Sequence, residues 1–155
     1  VIFFCENNGY AISVPLSKQM AVDNVAGRAE GYGMPGIEID GCDIVAVYET
    51  TVEAVARART GLGPTLIEAN VERYLPHTSD DDDSIYRSSQ EIEEAKKRDP
   101  LRLLREQLLE RKILNLKEDK SIHESAKEIV NKATEEAENA PYPETTDFFK
   151  HVYAE

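Results

Sequence analysis

The sequence has no tryptophan and only two cysteines, two methionines and three histidines among its 155 residues. Cys5 and Cys42 are far apart and match neither a zinc-binding spacing nor a disulfide framework, so we expect reduced thiols in an intracellular protein. No apolar run reaches the roughly 20 residues that a membrane-spanning helix needs, and no basic segment precedes a signal-type apolar core. A membrane protein is therefore not expected.

Basic residues are scarce as well: the sequence has 18 lysines and arginines against 30 aspartates and glutamates, which gives a formal net charge of −12. Nucleic acids and anionic membrane surfaces attract basic faces, so neither is expected as a partner. The length of the chain and its hydrophobic content of 41% fit one compact domain.

Three short runs bounded by turn residues predict β-strands. Residues 1–5 are continuously apolar and end in the turn cluster 6–9, residues 36–41 alternate apolar with polar, and residues 64–71 are rich in β-branched side chains. Because the chain starts inside what reads as the middle of a buried strand, we expect that an N-terminal portion is absent from this sequence.

Helical periodicity separates these strands. A short helix is predicted over residues 22–30, and a longer one begins at the N-cap Asp43 and ends at Gly61 or Gly63. The spacing predicts that the longer helix turns one face inward, formed by Ile44, Tyr48, Val52, Val55 and Arg59. Strand, helix and strand make a βαβ unit, which predicts an α/β fold with a parallel sheet and flanking helices.

Apolar periodicity disappears in residues 72–88, which include the four-aspartate run 80–83. A loop of this length inside a compact domain is typically functional or mobile. From the pattern alone, the aspartates read as solvated charges.

Beyond the loop the sequence favours helices. Charged, helix-favouring stretches occupy residues 89–98, 100–111 and about 121–139, and the aromatic residues after Pro141 predict a short amphipathic helix that docks on another surface. We therefore expect an α/β part at 1–88 and a helical C-terminal extension at 89–155 that packs on the same domain.

The segment Asn7-Asn8-Gly9-Tyr10 follows the first strand, and open α/β sheets bind ligands outside the carboxyl ends of their strands. An asparagine side-chain oxygen and a nearby backbone carbonyl would suit Mg²⁺, which uses few protein ligands when it also binds a diphosphate. The same residues also suit an ordinary Asn-Gly turn. The residues alone leave both interpretations open.

Two segments carry a family resemblance. Residues 5–13 (Cys-Glu-Asn-Asn-Gly-Tyr-Ala-Ile-Ser) resemble the closing end of the thiamine-diphosphate motif, and residues 73–88 resemble the long active-site loop in the alpha subunit of thiamine-diphosphate-dependent 2-oxo acid dehydrogenases. They stand in the family's order, joined by the matching segments 31–36 and 63–68. The resemblance runs along the whole chain, is closest to the branched-chain type, and implies part of the thiamine-diphosphate-binding fold.

The resemblance implies a cofactor site. Asn8 would bind Mg²⁺ through its side-chain oxygen and Tyr10 through its backbone carbonyl, and the remaining protein ligand would be an aspartate upstream of Val1. The metal would bridge the diphosphate of thiamine diphosphate. His77 would reach the cofactor from the loop as a catalytic residue, whereas composition alone favours a solvated loop histidine.

The loop and its partners follow from the same resemblance. Arg73, Asp81, Tyr86 and Arg87 would order the loop and help it to receive a lipoyl domain. The two arginines could pair with Asp80 or Asp81, and these pairs would order the loop only when it closes over an anionic cofactor. The implied reaction is oxidative decarboxylation of a small 2-oxo acid such as 3-methyl-2-oxobutanoate, with reductive acylation of lipoamide on an acyltransferase partner. A beta subunit would complete an alpha2-beta2 heterotetramer in the bacterial cytoplasm, or in the mitochondrial matrix of a eukaryote, and this segment alone is expected to be inactive.

Two positions depart from the family pattern. Glu6 stands where many relatives have an arginine that contacts the cofactor phosphate. A carboxylate beside a phosphate is unfavourable unless it turns away or is paired. Thr78 stands where animal relatives carry a regulatory phosphoserine, and we expect no such regulation here. Pyruvate and acetoin dehydrogenases are close alternatives, and a non-catalytic acidic docking or regulatory domain is an alternative of another class.

Overall fold

The computed structural model describes residues 1–150 and 152–153. The chain divides into two compact units, Val1–Leu108 and Leu109–Glu155. All the buried residues of the described part lie in the first unit. Along the described residues, no helix is both long enough and apolar enough to cross a membrane. The domain division expected after residue 88 stays a prediction.

A three-stranded parallel sheet forms the centre of the first unit. Strand β1 is Ile2–Asn7, and it is followed by a small antiparallel hairpin of β2, Tyr10–Ala11, and β3, Val14–Pro15. The other two sheet strands are β4, Gly36–Asp40, and β5, Thr65–Asn70. The sheet order is β1-β5-β4 and both outer strands run parallel to β5, which confirms the predicted parallel sheet.

Burial follows the position of each strand in the sheet. The central strand β5 contains Ile67 and Glu68, which are both 0% exposed. Strand β1 is paired on one side only in the described chain, and Phe3 and Phe4 are 51% and 45% exposed. The expectation of a fully buried first strand is therefore wrong here, although its position and direction are as predicted.

Helix α1, Ile44–Arg59, begins where the sequence predicts. The Asp43 carboxylate caps it by accepting hydrogen bonds from two backbone amides of the first turn, at 3.0 and 3.2 Å. The helix ends before Gly61 and Gly63, whose φ angles of 79° and 94° lie in the left-handed region. These glycines turn the chain into β5.

The inward face of α1 differs in part from the predicted one. Tyr48 and Val52 are 69% and 48% exposed, whereas Ala54 is buried and Val47 and Thr51 are half-buried. The positions 47, 51 and 54 share one helical face. Of the predicted face, Ile44 and Val55 are half-buried as well, so the prediction holds at these two positions and is wrong at Tyr48 and Val52.

The segment predicted as a short helix over residues 22–30 forms a 3₁₀ helix at Ala26–Tyr32 instead. Glycines at positions 27 and 31 disfavour a regular α-helix. This segment packs against β4, where Gly36 leaves no room for a side chain. A Cβ at Gly36 would stand 2.0 Å from the carbonyl oxygen of Ala26.

Helices α2, Ser89–Lys97, and α3, Pro100–Glu110, follow the long loop as predicted. In the second unit, α4, Leu116–Asn139, starts before the predicted residue 121. The earlier start has a local cause, since Asn115 and Glu118 form a reciprocal capping box.

The aromatic tail contains a short helix, as the sequence predicts. Thr145–Phe149 form a 3₁₀ helix, in which Phe148 and Phe149 stack edge to face and are 79% and 81% exposed. Positions 151, 154 and 155 of the predicted tail helix lie outside the described residues. The docking of this tail stays a prediction.

Candidate active site

The paired asparagines lie at the carboxyl end of β1. Asn7 Oδ1 accepts a hydrogen bond from the backbone amide of Gly9 at 2.9 Å, and Asn8 Oδ1 accepts one from the backbone amide of Tyr10 at 3.0 Å. Gly9 has a φ of 78°, which favours glycine. The two side chains thus close a tight turn, here named the asparagine turn (residues 7–10), that leads from the sheet into the hairpin.

A buried carboxylate holds the asparagine turn against the sheet, and sequence reasoning missed it. Glu68 Oε1 accepts a hydrogen bond from Asn7 Nδ2 at 2.6 Å, and Glu68 Oε2 accepts one from the backbone amide of Ala26 at 2.6 Å. The available signal was a charged residue flanked by apolar neighbours in a strand read as buried. Such a carboxylate must have buried hydrogen-bond partners.

Glu6, the departure from the family pattern, lies on β1 with its side chain exposed. Side chains alternate along a strand, so Glu6 faces the opposite side of the sheet from Cys5 and Asn7. Burial, and to a smaller extent the charges of Glu68 and Glu6, raises the pKa of the Cys5 thiol. The Glu6 carboxylate turns away from the face on which the Asn7 side chain meets Glu68.

Tyr10 is the centre of an aromatic and cationic cluster. The guanidinium carbons of Arg73 and Arg87 lie 5.5 and 5.8 Å from its ring centroid, and the Tyr86 ring centroid lies 5.8 Å away. The Tyr10 hydroxyl donates to Glu91 Oε1 at 3.1 Å. Burial and then this hydrogen bond raise the pKa of Tyr10 against the opposing effect of the arginines, so the hydroxyl stays protonated at neutral pH.

Arg73 connects the hairpin to the long loop. Its Nη1 donates to the carbonyl oxygen of Ile12 at 2.8 Å, and its Nη2 donates to the Tyr86 hydroxyl at 2.9 Å. Ile12 has a φ of 58°, a left-handed conformation that a β-branched residue adopts only under constraint. The guanidinium therefore clamps the hairpin tip to the far end of the loop.

Asp81 joins the two ends of the loop. Its Oδ2 accepts from the Tyr86 hydroxyl at 2.5 Å and from the backbone amide of His77 at 2.8 Å. The Tyr86 hydrogen bond, followed by that from His77, lowers the pKa of Asp81 below its ordinary 3.8. This stabilisation is therefore complete above pH 3.8 and is lost as the pH falls through the lower folded-state value. The His77 side chain itself is exposed.

Arg87 is the buried anchor of the loop, with only 3% of its side chain exposed. Its Nη1 donates to the carbonyl oxygen of Arg73 at 2.8 Å and faces Asp83 Oδ2 at 3.4 Å, while its Nε donates to Glu91 Oε1 at 3.0 Å. Asp83 lies in the turn before Arg87 and Glu91 in the first turn of α2 after it, so the chain brings a carboxylate to this guanidinium from each side.

The ion pairs of the loop differ from those expected. Arg87 was predicted to pair with Asp80 or Asp81, but its carboxylate partners are Asp83 and Glu91. Arg73 reaches Asp81 only through the Tyr86 hydroxyl. In this structure the Asp81 carboxylate is instead occupied by the Tyr86 hydroxyl and the backbone amide of His77. The pairing expected for the loop closed over a cofactor stays a prediction.

The solvated interpretation of the aspartate run is wrong at Asp83, but it holds at Asp82, which is exposed although its carboxylate caps a turn. The Asp83 side chain is only 14% exposed beside Arg87. Asp82 caps the 3₁₀ turn Asp83–Ile85 by accepting from the amide of Ser84 at 3.1 Å and from its hydroxyl at 2.5 Å. Asp80 is exposed, in agreement with the prediction for that residue.

The structure thus brings most of the predicted loop residues to one place. Arg73, Tyr86 and Arg87 surround Tyr10, Asp81 is joined through Tyr86, and Asn8 is joined through the asparagine turn. His77 enters this network through its backbone amide rather than its ring.

The asparagine turn offers donors that suit magnesium. Asn8 Oδ1 accepts one N–H, and an amide oxygen has a second lone pair for a ligand. Mg²⁺ prefers oxygen ligands and takes few from the protein when it also binds a diphosphate. No cluster of three or more His, Cys, Asp or Glu able to hold a metal occurs among the described residues. The donors that the turn offers are the Asn8 amide oxygen and the Tyr10 backbone carbonyl oxygen.

The Arg87 anchor yields a stability prediction. Arg87→Lys should lower the free energy of unfolding by about 2–3 kcal/mol, because a single lysine ammonium cannot reproduce the hydrogen bonds that the planar guanidinium makes to three buried oxygen partners. The measurement is denaturant-induced unfolding, together with the rate of proteolytic cleavage within residues 72–88, which should increase.

Arg98→Lys is the matched control. Arg98 also pairs with two carboxylates, Asp40 and Glu72, but 48% of its side chain is exposed. Exposed pairs contribute roughly 0–1 kcal/mol, so this variant should change little. Equally small losses for both variants would show that Arg87 is not an anchor.

Comparison with known proteins gives the chain its family. The family model described as "Dehydrogenase E1 component" matches residues 1–146. The chain is 51% identical to the 2-oxoisovalerate dehydrogenase subunit alpha of Bacillus subtilis (strain 168) over 154 residues, covering 99% of this chain and 47% of that protein.

Two further relatives show the breadth of the similarity. The 3-methyl-2-oxobutanoate dehydrogenase subunit alpha of Mycobacterium tuberculosis (strain CDC 1551 / Oshkosh) is 40% identical over 99% of this chain and 42% of its own length. The pyruvate dehydrogenase E1 component subunit alpha of Staphylococcus epidermidis (strain ATCC 35984) is 42% identical over the same shares. The chain spans about half the length of these curated relatives. It belongs to the dehydrogenase E1 component family.

Proposed function

We propose that this chain forms part of the alpha subunit of a branched-chain 2-oxo acid dehydrogenase, in the component that decarboxylates the substrate. The observation that carries the proposal is the 51% identity to a 2-oxoisovalerate dehydrogenase alpha subunit along 99% of the chain. The substrates are 2-oxo acids such as 3-methyl-2-oxobutanoate, and the acyl group passes to lipoamide on an acyltransferase partner. A beta subunit completes an alpha2-beta2 heterotetramer, placed in the bacterial cytoplasm.

Asn8 and Tyr10 are the proposed magnesium ligands in this chain, through the amide oxygen and the backbone carbonyl. The metal holds the diphosphate of thiamine diphosphate, and the family motif implies one further protein ligand, an aspartate. Bound thiamine diphosphate supplies the electron sink that decarboxylation requires. The chain's own part is to fix the metal-binding oxygens, which the asparagine turn does through its two internal hydrogen bonds.

The loop of residues 72–88 is the proposed cover of the reacting centre, with His77 as its catalytic and cofactor-binding residue. Pro76 restricts the backbone before His77, and Asp81 holds the amide of His77 itself. The imidazole therefore projects from a fixed backbone although its own side chain is exposed. Its proposed role is to hold the cofactor diphosphate or the reacting group through a ring N–H.

The ordered loop is also the proposed binding surface for the lipoyl domain. Arg73, Asp81, Tyr86 and Arg87 tie the loop to the hairpin at 10–15, so its outer surface is presented in one arrangement. An ordered surface costs less conformational entropy on binding than a mobile one.

A pyruvate dehydrogenase is the second candidate, because the Staphylococcus epidermidis pyruvate dehydrogenase alpha subunit is 42% identical to the chain. The two candidates differ in the side chain of the 2-oxo acid that the complete enzyme accepts. They share the cofactor site, so kinetics rather than cofactor binding must separate them.

We expect the complete alpha–beta enzyme to have a higher kcat/KM for 3-methyl-2-oxobutanoate than for pyruvate, by at least about tenfold. Each additional methyl or methylene group in a fitted apolar pocket changes the specificity by roughly 10–200-fold. The measurement uses both acids with the same lipoyl-domain acceptor, and 2-oxobutanoate serves as an intermediate-sized control. A preference for pyruvate would favour the second candidate.

In the same assembly, His77→Ala should lower turnover with the lipoyl-domain acceptor by at least about a hundredfold, equivalent to about 3 kcal/mol of transition-state stabilisation. The matched control is Asp80→Ala, which removes an exposed carboxylate from the same loop. Asp82 is unsuitable as a control because it caps the turn before Arg87. Small and equal effects of the two variants would remove His77 from the catalytic machinery.

A further inference from the structure

Glu68 is an unusual residue for its place. It lies in the middle of the central strand β5 and is 0% exposed. In the described part of the chain its partners are two N–H donors, one from Asn7 and one from Ala26, at 2.6 Å each. A buried carboxylate is costly, and two short charge-assisted hydrogen bonds are the compensation found here.

Only a carboxylate satisfies both partners. Each carboxylate oxygen of Glu68 accepts one hydrogen bond, and both partners can only donate at these atoms. A glutamine at this position would have to direct its own NH₂ group at one of the two donors. The hydrogen-bonding pattern therefore requires the glutamate that the sequence has.

The Glu68 carboxylate fixes which way the Asn7 amide faces. Because a carboxylate accepts and does not donate, Asn7 must point its Nδ2 at Glu68. Its Oδ1 then points to Gly9 and accepts a hydrogen bond from the Gly9 backbone amide at 2.9 Å. Reversing the Asn7 amide would break both contacts at once. The orientation of Gly9, and of the backbone that continues to Tyr10, is thereby tied to a buried charge in the neighbouring strand.

We infer that Glu68 is a positioning residue for the metal and cofactor. Acting through Asn7, it holds the asparagine turn so that the Asn8 amide oxygen and the Tyr10 carbonyl meet the magnesium–diphosphate group. This inference rests on the proposed function, and it adds that affinity for the metal and cofactor depends on a residue that touches neither.

The test is a reciprocal exchange in the complete alpha–beta assembly. Glu68→Gln alone directs an NH₂ group at an N–H of either Asn7 or Ala26, so one of the two contacts is lost, and Asn7→Asp alone places two carboxylates face to face. In the double variant, the new glutamine donates to the new aspartate, accepts from Ala26, and leaves the aspartate free to accept from Gly9. The double variant thus has a hydrogen bond at each of the three wild-type places. The bond between residues 7 and 68 reverses its direction, and the negative charge moves from residue 68 to residue 7.

The readout is the Kd of thiamine diphosphate at fixed Mg²⁺ concentration, measured by calorimetry, together with the Tm of each cofactor-free protein. Loss of a residue that orients metal ligands typically weakens metal affinity by about 10–100-fold, so each single variant should raise the Kd by about tenfold or more. The double variant should return to within about threefold of the wild type, as expected for a directly coupled pair.

Asn8→Ala separates failure of this inference from failure of the proposed function. If the wild type does not bind thiamine diphosphate with Mg²⁺, the proposed function fails and the inference falls with it. Suppose that the wild type binds thiamine diphosphate and Asn8→Ala does not. If the single variants at Glu68 and Asn7 then lower Tm but keep the wild-type Kd, Glu68 has only a structural role and the inference is overturned. A double variant as weak as the single variants overturns it as well. If the single variants do not fold, a folded double variant with near-wild-type Kd supports it.

Discussion

The buried guanidinium of Arg87 is the interaction on which the arrangement of the loop depends. It lies where the loop of residues 72–88 returns to the domain, and it meets a backbone carbonyl, two carboxylates and the face of Tyr10. A charged group in such a place is stable only when its hydrogen bonds are made, so the loop cannot shift without exposing unpaired charge. The loop thus gains a fixed end although most of its own residues are exposed.

A second clamp acts from the sheet, and the two clamps meet at Tyr10. Glu68 holds Asn7, and the asparagine turn passes that constraint to the backbone of Tyr10. Arg73 and Arg87 hold the ring of the same residue. The candidate metal-binding oxygens and the proposed catalytic loop are therefore positioned around one side chain, Tyr10, which connects the carboxyl end of β1 with the loop of residues 72–88.

The sequence predicted those features that have a local cause. The Asp43 cap and the parallel strands were recognisable from residue pattern, and the residues of the loop cluster from family resemblance. The inner face of α1 was only partly predictable from apolar spacing, because the buried position is the small Ala54 while the larger Tyr48 is 69% exposed. The partners of Glu68 could not be named either, since hydrogen bonds between residues 61 and 42 positions apart depend on the register of the sheet.

The central claim is that the asparagine turn and the loop form one site. Amide hydrogen exchange of the complete alpha–beta assembly tests it directly, with and without thiamine diphosphate and Mg²⁺. The amides of Gly9 and Tyr10 are bound by the asparagine side chains, and that of His77 is bound by Asp81. On addition of cofactor and metal, the exchange rates of the turn amides and of the His77 amide should fall together by about tenfold or more, since a local opening would have to break the shared cluster. Protection of the turn with unchanged exchange in the loop would contradict the claim.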